Sequence, residues 1–236
     1  MSTDSDTKGI EKFFRPITKP EDWKQLLAKP HKHWKTGYSA KALAYCWQEA
    51  RGFPSEVSRV FRKSGITVFE DIEILVAFPE YKVSLPGGPR ASQSDVFILA
   101  KGNGQLVCIM VEGKASEPFG ETIAKWKVRP GEGKKSRLKY LCELLGLNAL
   151  EVNDVRYQLM HRTASALIEA KRFDVPNALM LVHSFSPKNE WFEDYEKFLS
   201  LFEVTGEVDS LVFAKTTGGV KLYFGWVRGD TEYLSR

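Results

Sequence analysis

The chain has 236 residues, of which 43% are hydrophobic and 27% charged, with a formal net charge of +4. That is enough apolar material to bury a sizeable core in one domain, and no apolar run is long enough to span a bilayer. The mild positive charge permits nucleic-acid binding without demanding it; the three cysteines, Cys46, Cys108 and Cys142, are odd in number, widely spaced and set among apolar neighbours, as core thiols of a reducing compartment would be.

Residues 1–10 are polar and acidic, unlike a secretory signal, and read as a disordered N-terminus preceding a single globular domain over 11–236. Pro20 near the start of an acidic stretch marks a first helix, which stops at Pro30. A loop carrying His31 and His33 follows, too few ligands for a metal site. Helices are expected over 39–50 and 55–63, the second stopped by Gly65. Over 71–83, Ile72, Ile74, Val76 and Phe78 alternate with period two, which predicts a half-buried strand.

Two β-prone runs with apolar flanks come next, 94–100 and 106–114, joined through Gly102-Asn103-Gly104. This is the signature of a hairpin. Asp95 lies eight residues before Asn103 and Glu112 nine after it, so the two carboxylates fall opposite or diagonal to each other across the pair. Glu112 and Lys114 are two apart and share a strand face. The unbroken run Val107 to Val111 predicts a strand buried on both faces, ending in charge at the rim of a core. Gly113 lets another group approach the backbone.

After Lys114 a helix is expected from Pro118 to about 127, another over 135–145 capped by Gly146, and a long amphipathic helix over about 153–172. Gln158, His161 and Arg162 fall at i, i+3 and i+4 on one face of that helix. A strand over 177–185, a helix over 190–202 and strands over 210–214 and 220–227 complete the chain. The order is neither a regular βαβ alternation nor all-β. It predicts an α/β (α+β) fold with a central mixed β-sheet flanked by helices.

Ser94-Asp95, the hairpin, and Glu112-Gly113-Lys114 together resemble the PD-(D/E)XK nuclease superfamily, with Ser94 where a proline often stands. The resemblance implies a restriction-endonuclease-like core over about 39–185, with the first forty and last fifty residues outside it. It also implies a Mg²⁺-dependent phosphodiesterase, Mn²⁺ being able to substitute. Asp95 and Glu112, with a carbonyl near Gly113, would hold the metal. Lys114 would position the attacking water, Glu49 on the preceding helix would add an acid, and Gln158 would orient Lys114 or phosphate. The segment from Lys114 to Lys139 carries eight basic residues against three acidic ones, with Trp126 and Tyr140 interleaved. Lys125, Lys127, Arg129, Lys134 and Lys135, together with Arg162, are therefore candidates for tracking a phosphate backbone. The expected partner is nucleic acid, DNA before RNA, in a cytoplasmic protein with no membrane association that could act as a homodimer. Two other readings stay open: a degenerate nuclease-like module that binds nucleic acid or a protein without cutting, and a hydrolase of small phosphate esters.

Overall fold

The computed structural model describes residues 17–128 and 131–236. The expected disorder of 1–10 and the role assigned to Arg129 lie outside the described residues. Among the described residues six strands form one mixed sheet: β1 (Glu73–Val83), β2 (Ser92–Gly102), β3 (Gln105–Lys114), β4 (Asn177–Ser184), β5 (Ser210–Thr217) and β6 (Val220–Arg228), in the order β1-β2-β3-β4-β6-β5. The hairpin is as expected. Gly102 pairs with Gln105, and Asn103 and Gly104 between them both have positive φ, the backbone of a tight two-residue turn.

β3 and β4 run parallel, so the chain must cross over between them. It does so through α4 (Ile123–Trp126), α5 (Glu132–Leu145) and α6 (Tyr157–Arg172). The side chains of β3 alternate between two cores. Cys108 and Met110 face a layer built by α5, α6 and α7 (Phe192–Ser200). Val107, Ile109 and Val111 face α2 (Ser39–Glu49) and α3 (Ser55–Lys63), which follow the four-residue α1 (Pro30–His33). Every residue of β4 is buried. This makes a three-layer fold, with helices on both faces of the sheet.

The final fifty residues, outside the core that the resemblance implies, extend the same sheet: β6 pairs parallel with β4 and carries β5 beside it. Other expectations need correction. The period-two reading of β1 fails at a β-bulge between Ile74 and Val76, which sends Ile74 to one core and Phe78 to the other. The long crossover helix begins at Tyr157 and not near 153. Before it, the backbone turns to bond another segment: Ile123 donates to Val155, Ala124 to Asn153 and Tyr157 to Glu121. That bonding also shortens the helix expected after Pro118 to the four residues of α4, capped by the Thr122 side chain.

Candidate active site

β2 and β3 stay in register up to Val96 opposite Val111. The next positions, Asp95 and Glu112, open onto a cleft of ≈ 860 Å³, with Lys114 one strand step further. Gln158, His161 and Arg162 reach the same cleft from α6, so the shared helical face is real.

Glu112 is the hub. Lys114 Nζ donates to its Oε1 at 2.6 Å and Gln158 Nε2 to the same oxygen at 2.5 Å. Arg162 Nε donates to Oε2 at 2.5 Å. Burial pushes the Glu112 carboxyl up, but the charges of Arg162 and Lys114 outweigh it and hold the group below its ordinary range. Arg162 also donates to Ser92 Oγ at 3.1 Å, and that hydroxyl meets His161 Nδ1 at 2.8 Å. Burial, with the charges of Arg162, Arg137 and Lys114, keeps His161 neutral by pushing it well below the ordinary histidine value. Lys114 Nζ lies 4.8 Å from the centre of the Phe119 ring. Its ammonium is therefore held on two sides while remaining at the cleft.

Asp95 is half-buried and has a different environment. Its Oδ2 accepts the Gly113 backbone N–H at 2.7 Å. A Cβ added at Gly113 would stand 3.3 Å from that oxygen and 3.3 Å from Leu43, so a larger residue would press on both side chains. Burial, then the neighbouring charges of Glu112 and Glu80, push the Asp95 carboxyl well above its usual range.

Glu80 is a third carboxylate, which sequence reasoning missed. It stands on β1 between Pro79, opposite Val96, and Tyr81, opposite Ser94, which places it across from Asp95. Its φ is +52°, a left-handed backbone inside a strand, at a cost of about 1–2 kcal/mol for a side chain of this kind. It is only 6% exposed and lines the cleft. Gln93 Nε2 donates to its Oε2 at 2.6 Å. Burial raises its carboxyl to about 7 against the Gln93 hydrogen bond. Nothing in the apolar pattern of β1 marked this position, because a single left-handed residue leaves no trace in side-chain periodicity.

The structure moves other expected residues away. Ser39 and Ala40 at the start of α2 line the cleft, with the Ser39 N–H and hydroxyl both donating to Glu117. Glu49 sits at the other end of α2, roughly 15 Å along the axis, exposed and 3.9 Å from Arg236. The role expected for Glu49 is thus corrected: the acid lies at the wrong end of its helix. Among the expected phosphate-tracking residues, Lys127 bonds Asn153, Lys134 bonds the Trp126 carbonyl and Lys135 pairs with Glu132. Lys125 is exposed on α4. None of these four lines the cleft, whereas the exposed Lys32 on α1 and Lys35 just after it do. Arg162, expected to contact nucleic acid, is buried and committed to Glu112 and Ser92. Aromatic side chains close one wall: Trp126 stacks on Tyr157 at 4.2 Å, and Tyr157 meets His161 at 4.6 Å.

The fold and cleft define an α/β protein with a polar, carboxylate-rich site at the rim of a mixed sheet. The chain belongs to a family known as a domain of unknown function, DUF6946, whose model matches residues 16–231. No curated protein and no solved structure matches it. Among the described residues no helix is long and apolar enough to cross a membrane.

Proposed function

We propose that this protein is a metal-dependent phosphodiester hydrolase of the PD-(D/E)XK type, acting on nucleic acid, DNA before RNA. The observation that supports it most is the convergence of Asp95, Glu112 and Lys114 from the adjoining ends of β2 and β3 into one cleft. The donor set suits a hard divalent ion. Asp95 and Glu112 offer carboxylate oxygens, the three acids Glu80, Asp95 and Glu112 face only two buried cations, Lys114 and Arg162, and Mg²⁺ prefers one or two protein carboxylates with water filling its other positions. Asp95 and Glu112, with the backbone carbonyl of Gly113, would hold the ion. When bound, it would supply a nucleophilic water at neutral pH and offset charge on the phosphate. Lys114, oriented by Glu112 and Phe119, would donate to the attacking water or to a phosphate oxygen. Gln158 and Arg162 fix Glu112, and the neutral His161 adds no charge to the wall. Lys32 and Lys35 at the rim would meet the flanking phosphates.

The test is cleavage of plasmid and single-stranded DNA with Mg²⁺ or Mn²⁺. Wild type should cut, EDTA should stop it, and Asp95→Asn should lose activity by about 10³-fold or more while remaining folded. Undiminished cleavage by Asp95→Asn overturns the reading.

A second reading, a nuclease-like module that binds without cutting, is favoured by one observation. Both oxygens of Glu112 are already occupied by protein donors. DNA binding with no cleavage at millimolar Mg²⁺ or Mn²⁺ would favour this module.

A further inference from the structure

We propose that Glu80 is a third carboxylate ligand for the cation of this cleft, on the side of Asp95 away from Glu112; this rests on the metal-dependent reading above. Charge compensation in the cleft is uneven. The two cations that enter it deepest, Lys114 and Arg162, are both bonded to Glu112. Among the described residues neither Asp95 nor Glu80 has an ion-pair partner. Asp95 is held by one backbone N–H and Glu80 by one side-chain amide, that of Gln93. Two acids facing each other across a strand pair, one of them 6% exposed, are costly unless something positive sits between them.

The chain also does something unusual to bring Glu80 there. A left-handed backbone within a strand favours glycine or asparagine, and a long acid is a poor choice on local grounds. The bend directs a carboxylate at the cleft from the edge strand of the sheet, with Phe78 and Tyr81 stacked near Phe97 on either side of it. Gln93, the neighbour of Ser94-Asp95 on β2, holds one oxygen of Glu80 and so orients the other. Hard cations take oxygen donors of this kind. Glu80 thereby fills the accessory acidic position for which the sequence offered Glu49.

The experiment is calorimetric titration of the full chain with Mn²⁺, paired with thermal unfolding in EDTA and in Mn²⁺. Wild type should bind Mn²⁺ and unfold at a higher temperature in its presence. Glu80→Gln keeps the size and the Gln93 contact; it should bind Mn²⁺ at least about tenfold more weakly, and its metal-bound gain in Tm should shrink. In EDTA its Tm should equal or exceed that of wild type, because an uncompensated charge has been removed. A purely structural glutamate would instead lower the metal-free Tm. Should Glu80→Gln fail to fold, Glu80→Asp carries the test, since aspartate tolerates the left-handed backbone and its shorter reach should still weaken Mn²⁺ binding several-fold. Wild-type Mn²⁺ affinity in a folded variant overturns the inference, as does a wild-type chain that binds no Mn²⁺ at millimolar concentration. The two proposals fail separately. Mn²⁺ binding that depends on Glu80 without DNA cleavage sinks only the nuclease reading. Cleavage with Mn²⁺ binding indifferent to Glu80→Gln sinks only this one.

Discussion

Two clusters of titratable side chains lie on opposite faces of the sheet, and they balance charge in different ways. On the α2 side, Cys46, Glu56 and His183 place their ligand atoms within 4.8 Å of one another. At first sight this is the better metal site, with three ligand types and full burial. Its hydrogen bonds argue otherwise. Trp47 Nε1–H donates to His183 Nδ1 at 3.0 Å, which leaves that nitrogen without a proton. Nε2 then carries the proton and gives it to Glu56 at 3.2 Å, while the Cys46 thiol donates to the same carboxylate at 3.4 Å. A metal on Nε2 would need a ring stripped of both protons, whereas metal-binding histidines keep an N–H on the far nitrogen for a second-shell acceptor. Burial pushes the Cys46 thiol far up, away from the thiolate a metal requires. This cluster is closed: every donor has an acceptor. On the α6 side, Glu112 is just as well satisfied, but Asp95 and Glu80 are not. A group of ligand-type residues is thus better judged by its uncompensated charge than by its ligand count.

Several measurements would break or sharpen that contrast. The largest effect should come from Lys114→Ala, which should reduce Mg²⁺-dependent cleavage by about 10³-fold or more in a protein whose circular dichroism is unchanged. Next, His183→Ala should cost about 3 kcal/mol of stability by chemical denaturation, since it strands Trp47 N–H and Glu56 in the core. Mn²⁺ affinity should remain within twofold of wild type; a loss would mean the two clusters are not independent.

The pH dependence of stability should have opposite slopes for Glu56 and Glu80. Burial raises Glu56, but the hydrogen bond from His183 outweighs it and holds the carboxyl at about 2, below its ordinary 4.5. A lowered carboxylate contributes stability above its unfolded value and loses it as pH falls through the folded one. The acid limb, from about pH 4.5 downward, should therefore drop by about 1–2 kcal/mol and be blunted in Glu56→Gln. Glu80, raised to about 7, works in reverse: its contribution is intact below about 4.5 and is lost as pH climbs to 7 and beyond. His161, held well below its ordinary value, loses stability over the same window, so the effect is read against Glu80→Gln: from pH 7 to pH 5 metal-free wild type should gain Tm relative to that variant, and Mn²⁺ should flatten the difference by favouring the ionised acid. A Tm difference between the two metal-free proteins that does not change from pH 7 to pH 5 would contradict this account. The smallest effect belongs to Glu49→Gln, expected to leave cleavage, Mn²⁺ affinity and Tm within error.

Much of the site was legible before any coordinates. The hairpin follows from Asn103-Gly104 between two apolar runs, and it alone brings Asp95 near Glu112. The spacing of Gln158, His161 and Arg162 placed them on one helical face. Glu80 could not be found this way. Its direction depends on a left-handed residue in β1 held across from Asp95, and on Gln93 two residues before Asp95, neither of which leaves a periodic trace. Glu49 erred for the converse reason: helical propensity placed it correctly on α2 but says nothing about which end of α2 meets the cleft.

By itself, then, the sequence determined which segments become strands and helices, the hairpin register, and the neighbourhood of Asp95, Glu112 and Lys114, because turn chemistry and side-chain periodicity act over a few residues. Only the tertiary structure decided which charges find partners. Lys114 and Arg162 both settle on Glu112, His183 and Glu56 satisfy each other, and β6 joins the sheet beside β4. Lys114 apart, those outcomes depend on contacts between residues distant in the chain, 50 positions for Arg162 with Glu112 and 127 for His183 with Glu56, for which local pattern carries no signal.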